Sequence, residues 1–319
     1  MHDTPSHVTG PTDTPLLEET VGAMLARVAA RYPDREALVV PSQSVRLRYR
    51  AFDAAVTRLA AGLLALGLEP GDRIGIWSLN RAEWVLMQFA SARAGLVLVN
   101  INPAYRTHEL EYALTRVGCR ALVLARAFKT SDYVGLLREL APELDSATPG
   151  ALQAARLPEL RHVLVLGDGD EVPGTLRFDA VVACDDSDAH ARLAALQDHL
   201  TPDDAINIQF TSGTTGAPKG ATLSHRNIVN NGWFVGEAMR LTEADRLCIP
   251  VPFYHCFGMV LGNLACVTHG ACMVVPGEGF DPLTTLQTVE RERCTGLHGV
   301  PTMFIAELDH PRFGEFDLS

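Results

Sequence analysis

The chain has 319 residues, 47% of them hydrophobic and 20% charged, a balance that excludes a disordered or fibrous protein and leaves length for a sizeable core and about two domain-sized units. Its 38 acidic and 27 basic residues give a formal net charge of −11, which opposes general attraction to nucleic acid or anionic lipid. An anionic substrate must therefore be held by a local device.

The first 15 residues read as a disordered tail without the basic patch and apolar run of a secretory signal, and no later stretch has the ~18 continuous apolar residues of a membrane span. With seven cysteines, an odd number, and no C-x-x-C pair, buried thiols in a reducing compartment are expected rather than a disulfide framework or zinc site. The expected location is the cytosol, with no nucleic-acid partner, no metal cluster and no integral membrane association.

After the tail, Val21, Met24, Leu25, Val28 and Ala29 recur at helical spacing, and a strand follows in EALVV. A helix over Phe52–Leu68 ends in the stop signals Gly67-Leu-Glu-Pro70-Gly. The chain then alternates: strand RIGIWS, helix Arg81–Ala94, strand LVLVNIN, helix His108–Val117, strand RALVLA, helix Tyr133–Leu140 and strand RHVLVLG. The acidic run Asp185-Asp186-Ser-Asp188 is expected to open a helix, where carboxylates complement the dipole. A lobe boundary is expected near Thr201–Asp204, dividing a first subdomain (16–204) from a second (205–319). The second continues with strand INIQF, a Gly/Thr-rich loop, a helix from Ser224 to Met239, strand RLCIP, an aromatic loop running into a helix, strand ACMVV, helix Pro282–Glu292, strand TGLHGV and a helix from Pro301. Continuous apolar strands between helices predict an α/β fold with mostly parallel sheets flanked by helices.

The most informative stretch is Phe210-Thr-Ser-Gly-Thr-Thr-Gly-Ala-Pro-Lys-Gly220, between a predicted strand and a predicted helix. Gly213 and Gly216 let backbone N–H groups approach an anion closely, the hydroxyls of Thr211, Ser212, Thr214 and Thr215 add donors, and Lys219 adds a compact positive charge. Lys219 stands between Pro218 and Gly220, so the Gly-Lys-Ser/Thr order of the P-loop is absent and the GTPase and kinase readings lose their main support.

This stretch resembles the signature loop of the adenylate-forming superfamily, which includes acyl-CoA synthetases, luciferases and peptide-synthetase adenylation domains. VLVNINPAYRTHELEYAL (97–114), VPFYHCFGM (251–259) and HGVPTMF (298–304) are similar to further motifs of that superfamily, and the likeness extends from about Thr20 onward. Within it, the run from Ser224 to Ala271 looks most like medium-chain acyl-CoA synthetases. The resemblance implies the fold of the family's N-terminal domain, two layered subdomains. It also implies ATP with Mg2+, coenzyme A and a fatty acid as reactants.

Carried over residue by residue, Thr211, Ser212, Gly213, Thr214, Thr215, Gly216 and Lys219 would hold the departing pyrophosphate, with Lys219 and His255 as the catalytic candidates. His255, Met259, Gly262, Gly299, Val300, Pro301 and Thr302 would line the acyl pocket. The family's adenine, ribose, Mg2+ and mobile-lysine motifs have no counterpart before Ser319, so the chain alone is expected to have little ligase activity, and an open sheet edge could promote self-association. The rivals are an adenylation domain for an amino or aryl acid, a luciferase-like oxygenase, and a non-catalytic nucleotide-binding relic; an amino-acid loader needs a buried acidic partner, and none is assignable.

Overall fold

A strand that is apolar at every position needs cover on both faces of its sheet. The computed structural model, which describes residues 9–211 and 218–319, provides that cover with two sheets and a shared layer of helices. Among the described residues the larger sheet has the strand order Gly220–Ser224, Ala205–Phe210, Val97–Asn100, Arg73–Trp77, Cys119–Leu124, His162–Val165, Leu176–Arg177. All neighbours run parallel except the first pair. The smaller sheet has the order Gly296–Leu297, Arg246–Cys248, Cys272–Val274, Glu36–Val40, Val45–Arg48, with only the last pair antiparallel.

Side-chain alternation distributes the larger sheet between two cores. Ile74, Ile76, Leu98, Ala121, Val123 and Leu164 share one core with Leu38, Val40, Leu247 and Met273 of the smaller sheet. Val97, Val99, Leu122, Leu124, Val163 and Val165 face the other, under helices Thr107–Val117 and Tyr133–Leu140. Between the sheets lies helix Ala82–Arg93, buried at every position but Glu83, as expected of a helix enclosed on all sides. Its buried guanidinium, Arg93, donates to Asp53 Oδ1 (2.5 Å), Thr57 Oγ1 (2.6 Å) and Gly22 O (3.1 Å), so the charge is paired rather than stranded.

The expected elements form with ends shifted by a few residues: the second helix runs Tyr49–Ala65, and the acidic run caps helix Ser187–Leu196 through Asp186. Strands not expected from the sequence are Val45–Arg48, Leu176–Arg177 and Gly220–Ser224, and the short pair Ala127–Phe128 and Ser131–Asp132, which forms a two-stranded sheet of its own. The sheets also do not divide at 204. Strand Ala205–Phe210 joins the larger sheet beside Val97–Asn100, and Glu36–Val40 joins the smaller beside Cys272–Val274. Parallel pairing draws strands from distant parts of the chain, so a cut in sequence does not correspond to a cut between sheets. Of the cysteines, Cys119, Cys248, Cys266 and Cys272 are buried, whereas Cys184, Cys256 and Cys294 are half-buried. No helix of the described residues is long and apolar enough to cross a membrane.

Helix His225–Met239 starts from a capping box in which Ser224 Oγ accepts from Asn227 N and Asn227 Oδ1 accepts from Ser224 N. His225 is fully buried; its Nδ1 accepts the Val21 N–H at 3.1 Å, and its Nε2 has no partner among the described residues. Burial pushes its pKa down to about 4, against a smaller opposing effect of Asp204. The folded state therefore resists protonation that the unfolded chain accepts near pH 6.5. Stability from this group is complete above that pH and falls as pH drops toward 4, by up to about 1.4 kcal/mol per pH unit. Urea unfolding at a series of pH values should show that slope in the wild type and a flatter acid limb in His225→Gln.

Candidate active site

Ligands of open parallel sheets bind beyond the carboxyl ends of the strands. Here the carboxyl ends of strands from both sheets meet. Val97–Asn100 and Ala205–Phe210 end on one side; Arg246–Cys248 and Gly296–Leu297, paired in parallel, lead on the other side into 249–258 and 298–302.

Thr211 N donates to Lys219 O at 2.9 Å, and Lys219 N lies 3.4 Å from Thr211 Oγ1. These contacts close the base of the predicted phosphate loop. Tyr112 Oη donates to Pro218 O at 3.0 Å and holds one stem to helix Thr107–Val117. The Lys219 residue is exposed. Ser212, Gly213, Thr214, Thr215 and Gly216 lie outside the described residues.

The aromatic segment is held by buried carboxamides. Asn80 Nδ2 donates to Val251 O and Asn80 Oδ1 accepts from Phe253 N, both at 2.8 Å, while Phe253 packs on Trp84 with ring centroids 5.6 Å apart. Asn100 Nδ2 donates to Tyr254 O at 3.0 Å. The backbone then turns tightly, His255 O accepting from Gly258 N (3.1 Å) and Met259 N (3.2 Å). A Cβ at Gly258 would stand 2.4 Å from Pro252 O, so the turn needs glycine for close approach rather than for a special φ.

His255 is exposed. Its Nδ1 accepts the Phe257 N–H at 3.1 Å, with Cys256 Sγ 3.6 Å from the same nitrogen, so Nε2 is the ring's donor. A π-helix follows over Phe257–Leu264, a widened turn often found at functional sites. Met259 is buried within it, its carbonyl accepting from Gln88 Nε2 at 2.8 Å. Gly262 is also buried, and a Cβ there would meet Ile249 Cγ2 at 2.9 Å.

His298 connects the third predicted segment to this helix. Its Nε2 donates to Leu261 O at 3.0 Å, its ring meets Phe257 edge-on with centroids 5.0 Å apart, and burial holds its pKa below the ordinary value. Gly299 is half-buried against the Phe304 ring; Val300, Pro301 and Thr302 are exposed at the start of helix Pro301–Leu308.

The structure thus brings His255, Met259 and Gly262 together on one segment, with 298–302 alongside through His298. The residues that position this segment were missed by sequence reasoning: Asn80, Gln88 and Asn100, Gln209 through Met259 Sδ, and Asn207 through its bonds to Asn100 and Gln209. For Gln88, Asn100, Asn207 and Gln209 the signal was a carboxamide within a strand or helix whose neighbouring positions are apolar; Asn80 stands in the turn between Arg73–Trp77 and Ala82–Arg93.

The AMP-binding enzyme family matches residues 25–319. The human mitochondrial medium-chain acyl-CoA ligase ACSF2 is 46% identical over 319 residues, covering 98% of this chain and 52% of its own length. The crystal structure of the anthranilate CoA ligase AuaEII with anthranoyl-AMP superposes with a TM-score of 0.79 at 23% identity, covering 97% of this chain and 54% of that one. The inhibitor-bound N-terminal domain of FACL13 from Mycobacterium tuberculosis gives a TM-score of 0.73 at 22% identity, covering 94% of this chain and 67% of that one. These two structures show the shared fold. The chain spans about half the length of the curated relatives it matches.

Loss of the Asn80 carboxamide leaves the Val251 carbonyl and the Phe253 N–H buried and unpaired. Asn80→Ala is expected to cost about 2–4 kcal/mol of stability, read as a lower urea midpoint at unchanged slope.

Proposed function

The chain belongs to the AMP-binding enzyme family, and on that membership we propose that it carries the phosphate-binding and acid-binding parts of an ATP-dependent fatty acid–CoA ligase, with a medium-chain acid as the favoured substrate. A carboxylate repels nucleophiles and must first acquire a leaving group. A carboxylate oxygen attacks the α-phosphorus of ATP, the α–β anhydride bond breaks, and pyrophosphate departs. The sulfur of coenzyme A then attacks the acyl carbon of the adenylate; the thiol proton is lost, the thioester forms and AMP leaves. Both steps depend on positioning and on stabilising charge as it develops, more than on a protein nucleophile.

The reading rests on one observation above others. The strand that enters the phosphate loop is hydrogen-bonded, through Gln209, to Met259, whose own N–H bonds the His255 carbonyl. In this proposal Thr211 and Lys219, with Ser212 to Gly216, receive the charge that builds on the pyrophosphate. The His255 Nε2–H orients the acid's carboxylate. Gly262, Met259 and Gly299 to Thr302 bound the acyl chain, and the name of the ACSF2 relative supports medium length. Mg2+ would arrive with ATP; among the described residues no group of three or more His, Cys, Asp or Glu is placed to hold a metal ion. Seven free thiols support a reducing compartment such as the cytosol.

ATP–pyrophosphate exchange with octanoate, run on this chain and on a longer form carrying it, tests the proposal. The comparison also tests whether this chain alone has little activity. Exchange in the longer form should fall about a hundredfold in Lys219→Ala. Exchange at the wild-type rate in that variant would remove Lys219 from the mechanism.

A further inference from the structure

Three buried or half-buried carboxamides and one thioether form a closed ring beneath the site. Asn100 Nδ2 lies 3.1 Å from Met259 Sδ, Gln209 Nε2 lies 3.2 Å from the same sulfur and 2.9 Å from Asn207 Oδ1, and Asn207 Nδ2 lies 2.9 Å from Asn100 Oδ1. Each amide nitrogen donates twice, since Asn100 also bonds Tyr254 O and Asn207 also bonds Leu98 O. All six N–H groups are thereby used. Met259, Asn100 and Asn207 are at most 3% exposed.

We propose that Met259 is a positioning residue. Its sulfur closes the ring that fixes the strand entering the phosphate loop in register with the backbone bearing His255. The functional meaning of that register rests on the ligase reading; the coupling itself does not. Gln209 stands two residues before Thr211, and the ring reaches the His255 turn by two routes, through Tyr254 O and through the Met259 N–H. A shift of the strand is thus passed to the aromatic segment. Leucine would fill the same space but accept neither N–H, leaving two donors unpaired.

Hydrogen–deuterium exchange on the ligand-free chain tests this. Met259→Leu should speed exchange about tenfold in both 205–210 and 252–258. Val260→Ala, one residue on and equally buried, should loosen 257–264 but leave 205–210 unchanged when compared at equal loss of Tm. Met259→Gln, which places a carbonyl acceptor near the position of the sulfur, should restore protection of 205–210. Unchanged exchange at 205–210 in Met259→Leu, or an equal effect of Val260→Ala, overturns the proposal. If Met259→Leu does not fold, the half-exposed Gln209→Leu decides the question: faster exchange at 252–258 supports the coupling and unchanged exchange refutes it. No substrate is used, so failure of the ligase reading would leave this result standing.

Discussion

Helix Ala82–Arg93 has almost no solvent-facing side, and most of the architecture follows from that constraint. A helix enclosed on every side needs apolar partners all round it. Helices Val21–Arg31 and Tyr49–Ala65 pack against it, and the core it occupies is shared by residues of both sheets. The helix packs directly on strands Val97–Asn100 and Arg73–Trp77 of the larger sheet, while strands Glu36–Val40 and Val45–Arg48 of the smaller sheet pack on its neighbour Tyr49–Ala65. The candidate site lies where this block ends, at carboxyl ends of strands from both sheets.

The same enclosure explains the chemistry of the residues that hold the site. A charge buried there needs full pairing, as at Arg93, whereas a carboxamide needs only hydrogen bonds and can both donate and accept. Asn80 and Gln88 accordingly extend from the central helix and its approach to clamp the backbone at 251–259. A satisfied network of this kind is stiff, because each group in it would be costly to leave unpaired. Asn263 Oδ1 is the exception near the π-helix, buried without a partner among the described residues.

How much of this was legible in the sequence depended on where a residue's partners lie. Strands such as Arg73–Trp77 and Cys119–Leu124 were legible because burial on both faces writes a continuous apolar run. Val45–Arg48 alternates between half-buried and exposed positions, and Gly220–Ser224 is exposed over its first three residues, so edge strands like these leave little apolar signal. Motif resemblance drew attention to the stretch before Lys219 and to the segment around His255. Their supports were not legible, since an asparagine in a strand reads the same whether it faces water or closes a ring. Strand pairing runs across position 204, and composition along the chain carries no record of which strands pair.

Pairing at a distance has a temporal side. Leu38 lies beside Met273 in parallel register, so a strand made early on the ribosome has no parallel neighbour until more than two hundred further residues exist. At ordinary synthesis rates of about 5–20 residues per second, that wait is roughly 10–50 s. Meanwhile its hairpin with Val45–Arg48 can cover one edge while the other stays open. The nascent chain therefore passes through a long interval with an adhesive β edge, when a chaperone that shields such edges would matter more than it does to the finished molecule.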